Sequence, residues 1–411
     1  MNQEANQEIL ELLIRRQVEL NSLLEITRAI NNNYSIEALF QMNELILSNQ
    51  LRIGKLRVFS RDADGQWNQP SYFGVEKLSA EMKSELVSIL SEYKQVTFIN
   101  SFDSDILHEF KILIPVEYKN EIFGYVLIGD YQNVEIDQID IDVKLIQTII
   151  NVIIVAAENR RLLEIRIQQE RLERDIELAA EVQTMLFPKK LPDNEQISMS
   201  ARYVPQQNIG GDYYDFLELN KNEFIFCIAD VSGKGMSAAL LMANFQASLR
   251  ALAFQKLPLD LLLSTANKAI FNLTNGDRHI TLFLGNYNIQ TRKLTYVNAG
   301  HNPSLMVSNT DIKELKIGTT MIGVFEDLPF INVGEEILDT DTLLFNYTDG
   351  LVELDHDHAD LFGEVDLISF LFEHQNLKPE SINNLLMAKI NKLIGKDRQD
   401  DDITLLTFKV Y

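Results

Sequence analysis

Between Leu162 and Leu186 apolar side chains return at alternating steps of three and four residues: Leu162, Ile165, Leu172, Ile176, Ala179 and Leu186, with Gln169 and Gln183 at the remaining positions of the stripe. This spacing keeps one narrow seam on a helix and predicts a coiled coil, most simply a parallel homodimer, with packing against the chain's own body as the alternative. Arg160, Arg161, Glu164, Arg166, Glu170, Arg171, Glu173 and Arg174 flank it with charges of both signs, as a solvated face requires. Pro188 and Pro192 lack the amide that a continuing helix needs, so the helix should end near them and a new domain begin. The expected boundaries are an N-terminal helix over 1–19, a compact domain over 20–157, the linker helix over 158–189 and a second domain over 190–411.

Charge narrows the partners. With 60 acidic against 37 basic residues and a formal net charge of -23, the chain repels phosphate backbones and anionic lipid, so neither nucleic acid nor a membrane surface is expected. The start, Met1-Asn-Gln-Glu-Ala-Asn, has neither the basic residues nor the apolar run of a signal peptide, and a cytoplasmic location is the expectation. Leu145 to Ala157 is apolar but interrupted by Gln147, Thr148 and Asn151, well short of the roughly 20 residues of a membrane span. The single cysteine, Cys227, lies in the apolar run Phe224 to Ala229 and reads as a buried strand residue, which excludes disulfides within one chain.

Before the linker, a helical pattern (Leu20, Leu23, Ile26, Ile30) leads into strand-like runs at Lys55 to Ser60, Val96 to Asn100, Lys111 to Val116 and Ile122 to Ile128. An antiparallel sheet with flanking helices fits this order. The opening Leu24-Glu-Ile-Thr-Arg-Ala-Ile30, the paired Leu113-Ile-Pro115 and Gly124-Tyr-Val-Leu127, and the closing helix resemble a GAF domain. The resemblance implies an α/β sensor that takes a small-molecule or protein signal, or a pocketless dimerisation module; without a cysteine here, a covalently held bilin is not expected.

Beyond Pro192, strand-like runs alternate with helical stretches near Met236 to Ala253 and Pro258 to Leu273, and Thr281 to Tyr287 with Lys293 to Val297 reads as a hairpin. Aspartates fall at the ends of these runs or in glycine-rich turns: Asp212 in Gly210-Gly-Asp-Tyr-Tyr-Asp215, Asp230 in Ala229-Asp-Val-Ser-Gly-Lys-Gly235, Asp349 in Tyr347-Thr-Asp-Gly350 and Asp401 in Asp400-Asp-Asp-Ile-Thr404. Strand ends hold side chains firmly at a cleft, and hard cations such as Mg²⁺ and Mn²⁺ prefer carboxylate, carbonyl and water oxygens. Singly each motif is an ordinary turn; their joint order carries the inference.

Together with Glu181-Val-Gln-Thr-Met-Leu-Phe-Pro188 and Asn298-Ala-Gly-His-Asn-Pro303, these blocks resemble the SpoIIE and RsbU branch of the type-2C, metal-dependent protein phosphatases across residues 176 to 411. The resemblance implies an α+β chain whose C-terminal part is a two-sheet β sandwich flanked by helices. It implies Asp212, Asp230, Asp349 and Asp401 as metal ligands, with the Val231 carbonyl as a further one, for Mn²⁺ or Mg²⁺ and two ions. Of these, Asp230 is the expected bridge, and Asp212 reaches metal directly or through water. Asp401 is preferred to Asp402 because adjacent strand residues point to opposite faces. The implied substrate is a phosphoserine or phosphothreonine on a small regulatory protein of the anti-sigma-factor antagonist (STAS) type. No arginine stands where the wider type-2C enzymes grip phosphate; Lys234, at a helix start, is a candidate substitute. His301 is expected to fix a turn, and Asp355-His-Asp-His358 to be a solvated loop.

Competing classes fare worse. Gly233-Lys-Gly235 lacks the glycine and the hydroxyl residue of a phosphate loop, having Ile228 and Gly235 in those places. No histidine lies between His108 and His279 to serve a histidine kinase, and a nucleotide cyclase would not need the six ordered blocks. A degenerate phosphatase domain that only binds phosphoprotein remains the non-enzymatic alternative.

Overall fold

The computed structural model describes residues 2–62, 65–99, 107–118, 121–131, 136–308, 311–352, 362–394 and 401–411, and the chain divides into two compact units, Met1–Gln169 and Glu170–Tyr411.

Unit 1 opens with α1 (Asn2–Asn31), α2 (Ile36–Asn49), β1 (Ile53–Arg61) and β2 (Trp67–Phe73), followed by α3 (Ala80–Leu90), β3 (Thr97–Phe98), β4 (Ile112–Tyr118) and β5 (Glu121–Tyr131). The five strands form one antiparallel sheet in the order β2-β1-β5-β4-β3. Ser35 and Ser79 start α2 and α3 by accepting the Ala38 and Met82 amides at 3.2 and 3.3 Å, supplying partners that the first turn lacks. Period-two alternation gives the sheet two different cores. Leu56 and Val58 of β1 face α1, α2 and the helix after β5, whereas Phe59 faces Leu86 and Leu90 of α3. The expected break at 19/20 is absent, since α1 runs through it: Ser22 and Ile26 are both buried, so its second half belongs to the compact unit.

After β5 comes α4 (Ile136–Thr184), a helix of 49 residues that crosses the division between the units. It starts well before 158 and stops at Thr184, ahead of Pro188.

Unit 2 continues with β6 (Ile197–Val204), β7 (Tyr213–Asn220), β8 (Glu223–Val231), α5 (Met236–Ala253), α6 (Leu259–Thr274), β9 (Ile280–Asn288) and β10 (Lys293–Ala299). Then follow β11 (Ser304–Val307), β12 (Ile312–Leu315), β13 (Gly318–Thr319), β14 (Gly334–Ile337), β15 (Leu343–Tyr347), α7 (Glu364–His374), α8 (Pro379–Ile394) and β16 (Ile403–Val410). One sheet runs β13-β10-β9-β8-β7, with β14 also on β10; the other runs β12-β11-β15-β16-β6. Strand β8 shows why they stack. Phe224, Phe226 and Ile228 meet Leu344, Leu406 and Phe408 of the other sheet, while Ile225, Cys227 and Ala229 face α5 and α6. The aromatic rings Phe224 and Phe408 meet edge-on at 5.6 Å, and each fully buried ring contributes about 1.5–3 kcal/mol. Helices α7 and α8 cover the far face of the second sheet through Leu367, Leu371, Ile382 and Leu386. The result is a β sandwich between two pairs of helices. Among the described residues no helix is long and apolar enough to cross a membrane.

Candidate metal and catalytic site

Asp212 immediately precedes β7, Asp230 is the penultimate residue of β8, Asp349 follows β15 by two residues and Asp401 precedes β16 by two. Strands β7 and β8 pair with Tyr213 opposite Ala229, and β15 and β16 pair with Tyr347 opposite Leu405. Each sheet therefore presents two aspartates at neighbouring strand ends. Thr348 and Thr404 of the second sheet donate their hydroxyls to Asp212 Oδ2, at 2.8 and 2.5 Å, and so join the two edges.

The electrostatics record the crowding. Burial, followed by the charges of Asp349, Asp401 and Asp402, pushes the Asp230 carboxyl up to about 7. Asp212, 1% exposed, is held well above the usual carboxylate range by burial and then by Asp230. Carboxylates so close in a low-dielectric edge disfavour each other's charge unless a cation offsets it. Among the described residues no three acidic, histidine or cysteine side chains close into a ready-made cage. The fit to a divalent cation lies in the all-oxygen donor set and in the crowding of carboxylates at this edge.

The neighbouring acids Asp401 and Asp402 have separate partners. Asp402 is buried, with Oδ1 accepting the Gln206 amide and Oδ2 the Gly211 amide, both at 2.7 Å. It clamps the loop that carries Asp212. A Cβ on Gly210 would come within 2.0 Å of Asp402 Oδ2, so a side chain there would break the clamp. The half-exposed Asp401 instead stands 3.3 Å from Lys234 Nζ.

A second clamp comes from the end of α4. Gln183 Nε2 donates to the Gly210 carbonyl at 2.7 Å, and the Gly210 amide donates back to Gln183 Oε1 at 3.4 Å. Sequence spacing had assigned Gln183 and Leu186 to the coiled-coil seam; in the structure both are engaged within unit 2. The Leu186 carbonyl accepts from Gln246 at 3.2 Å and Arg250 at 3.1 Å, and Phe187 packs on Tyr203 and Tyr214 with ring centroids 5.0 and 4.9 Å apart. The reason is local: α4 ends at Thr184, and the Met185 and Leu186 amides turn back to the Val182 and Gln183 carbonyls.

Arg278 was not singled out by the sequence, yet its Nη1 donates to the Ser232 carbonyl at 3.2 Å, beside the loop that follows Asp230. Gly233 in that loop has φ +103, and a Cβ there would lie 2.2 Å from Arg278 Nη1. Position 278 lies 48 residues from Asp230, across two helices, where no local pattern connects them. His301 is buried, its Nδ1 2.8 Å from Thr281 Oγ1, and burial pushes its imidazole down to about 4. The turn itself is closed by Asn298, which accepts the His301 amide at 2.8 Å and donates to its carbonyl at 3.0 Å. Cys227 is fully buried and its thiol is pushed up, so it offers no nucleophile. Asp355 to His358 lies outside the described residues.

Residues 220–411 match the family profile described as Stage II sporulation protein E (SpoIIE), and together with the relatives below this supports a metal-dependent protein serine/threonine phosphatase. The chain is 29% identical over 246 residues to phosphoserine phosphatase RsbU of Bacillus subtilis (strain 168), covering 59% of this chain and 72% of RsbU. It is 27% identical over 260 residues to protein IcfG of Synechocystis, covering 56% of this chain and 41% of IcfG. In fold it is similar to the SiaA-PP2C domain of Pseudomonas aeruginosa, at TM-score 0.53 and 20% identity, covering 59% of this chain and 99% of that domain. The profile match takes in Asp230, Asp349 and Asp401 and begins after Asp212.

Proposed function

We propose that the chain hydrolyses phosphoserine or phosphothreonine on a small regulatory protein of the STAS type, and that unit 1, read as a GAF-like sensor, controls this activity. The observation that carries the catalytic reading is the convergence of Asp212 and Asp230 at neighbouring strand ends of one sheet with Asp349 and Asp401 at those of the other, joined by the Thr348 and Thr404 hydroxyls on Asp212. Asp212, Asp230, Asp349, Asp401 and the Val231 carbonyl would hold Mn²⁺ or Mg²⁺, which when bound polarise the phosphoryl oxygens and lower the pKa of an attacking water. Around them Thr348 and Thr404 orient Asp212, and Asp402 and Gln183 fix its loop. Lys234 and Arg278 put positive charge beside the Asp230 loop for an anionic substrate. With Cys227 sealed, hydrolysis needs no thiol intermediate. Hydrolysis of p-nitrophenyl phosphate that depends on Mn²⁺ and disappears with chelator and in Asp230→Ala supports the reading; metal-independent or absent hydrolysis by the wild-type protein defeats it.

Regulation is read from α4, whose last turn touches Gly210 through Gln183. Gln183→Ala in the full chain should weaken Mn²⁺ binding, as titration calorimetry would register; unchanged affinity would remove this route. A parallel homodimer is supported by the exposure of Leu162, Ile165 and Leu172 on α4. The open groove lined by Ile30, Leu39, Val152, Val155 and Leu163 adds apolar surface in unit 1. Sedimentation equilibrium giving a monomer at micromolar concentration would count against it.

A further inference from the structure

Arg57 is 3% exposed, on β1 of unit 1, and has hardly any partner. It shares a sheet face with Phe59, sits opposite Leu127 of β5, and its guanidinium carbon lies 5.9 Å from the centre of the Phe110 ring. Phe59, Phe110 and Leu127 all belong to the apolar core on that face, with Leu78 and Leu107 beside them. Of the five N–H donors a guanidinium carries, only Nη2 makes a hydrogen bond, to the Glu76 carbonyl at 2.9 Å. Among the described residues Nε and Nη1 have none. Glu109 acts on Arg57 only through its charge, its own carboxylate being 3.2 Å from Lys55. Burial lowers the readiness of this guanidinium to stay charged, and the charge of Glu109 offsets this only in part.

Buried charges persist in proteins where they are paired, because an isolated one is costly to desolvate. We propose that Arg57 is the recognition point of a binding site in unit 1 for a small monocarboxylate with an apolar body. One guanidinium matches one carboxylate, by the forked geometry that favours bidentate contact. Lys55, the next cation on the same strand face, is already engaged by Glu109 and by Asp130 at 3.2 and 3.6 Å, so a dianion would find no second charge. The apolar wall of Leu78, Leu107 and Phe110 suits hydrocarbon rather than hydroxyls. The proposal rests on the sensor reading of unit 1 and names the chemistry of its signal.

Trp67, the chain's single tryptophan, lies against Tyr125 at 5.4 Å on this side of the sheet and reports on unit 1 alone. The experiment follows Trp67 fluorescence through thermal unfolding of the full-length protein, at constant ionic strength, with sodium butyrate, butyramide or inorganic phosphate. Butyrate should raise the midpoint of the wild type in a saturable way, butyramide and phosphate should not, and Arg57→Met should abolish the butyrate effect. Arg57→Lys, which keeps charge but not the fork, should weaken butyrate about tenfold. Without ligand, Arg57→Met should unfold at the wild-type midpoint or above it, by a rise on the order of 2–4 °C, because an apolar side chain replaces an unpaired charge. A wild type indifferent to butyrate, or a butyrate shift shared by butyramide or retained in Arg57→Met, overturns the proposal, and the wild-type arm decides even where a variant fails to fold. Phosphatase rate separates the two readings. A saturable, Arg57-dependent butyrate shift with an unchanged rate upholds the site and removes the sensor role, whereas a rate that answers to another small molecule while Trp67 ignores butyrate upholds the sensor and removes the site.

Discussion

Arg57 and Arg250 are each drawn against the apolar core of their own unit, and they are completed in different ways. Arg250 grips the fully buried Asp215 with two parallel bonds, Nε to Oδ2 at 2.8 Å and Nη2 to Oδ1 at 3.0 Å, and Tyr213 adds its hydroxyl to the same carboxylate. Arg57 has one carbonyl. Unit 2 shows the same contrast within itself, since Asp215 is closed by Arg250 while Asp230 meets chiefly other acids. A closed buried charge holds parts of the fold together; an open one marks a place that a ligand of opposite charge completes.

The largest effect should come from the open acid. Asp230→Ala is expected to lower Mn²⁺-dependent phosphatase turnover by about 10³-fold or more, since several kcal/mol of transition-state stabilisation depend on the metal. Its metal-free unfolding midpoint should stay level or rise, because one member of a crowded acid group is gone; a steep loss of stability would make Asp230 a closed charge instead.

The closed pair should behave in the reverse manner. Asp215→Ala leaves Arg250 without its carboxylate and should cost about 3 kcal/mol, at the low end for buried pairs because Arg250 is a third exposed. Chemical denaturation of this variant against the double variant Asp215→Leu with Arg250→Met would sharpen the point, the double variant recovering much of the loss. Equal stability of the two would show that the pair was never closed.

Asp402 stands between the cases, an acid satisfied by backbone amides beside the open group. Asp402→Asn cannot accept both the Gln206 and Gly211 amides through carboxylate oxygens, and Mn²⁺ affinity by calorimetry should fall about 10–100-fold with the fold retained.

The smallest effect is a pH slope. His301 has a folded pKa near 4, below its unfolded value of about 6.5, so the native state binds fewer protons in that interval. Its contribution is present above pH 6.5 and is lost as pH falls toward 4, with a slope of at most about 1.4 kcal/mol per unit. Denaturation of wild type and His301→Gln across this window should give curves that converge as pH falls; parallel curves would mean that the imidazole is not sealed.

Much of unit 2 was legible because its signals are local. The continuous apolar run Phe224 to Ala229 located β8 and the buried Cys227, and the stretches Met236 to Ala253 and Pro258 to Leu273 became α5 and α6 almost to the residue. The strand-end positions of Asp212, Asp230, Asp349 and Asp401 could be read for the same reason. Gln183 misled, since its spacing on α4 fits a seam, and only the turn after Thr184 brings it against Gly210. The start of α4 at Ile136 and the passage of α1 through 19/20 were hidden because a helix continuing across a domain edge leaves no breaker in the sequence.

By itself the sequence determined β8, α5 and α6, that acids gather at strand ends in one order, and that α4 must stop before Pro188. Those outcomes follow from what each residue and its near neighbours require of water and of backbone geometry. Tertiary structure alone decided that Thr404 reaches Asp212 across 192 positions, that Asp402 clamps Gly211 across 191, and that Arg57 is left open while Arg250 is closed. A side chain's preference for burial or charge is written in its own chemistry, but the group that meets it is chosen by how distant strands are brought together.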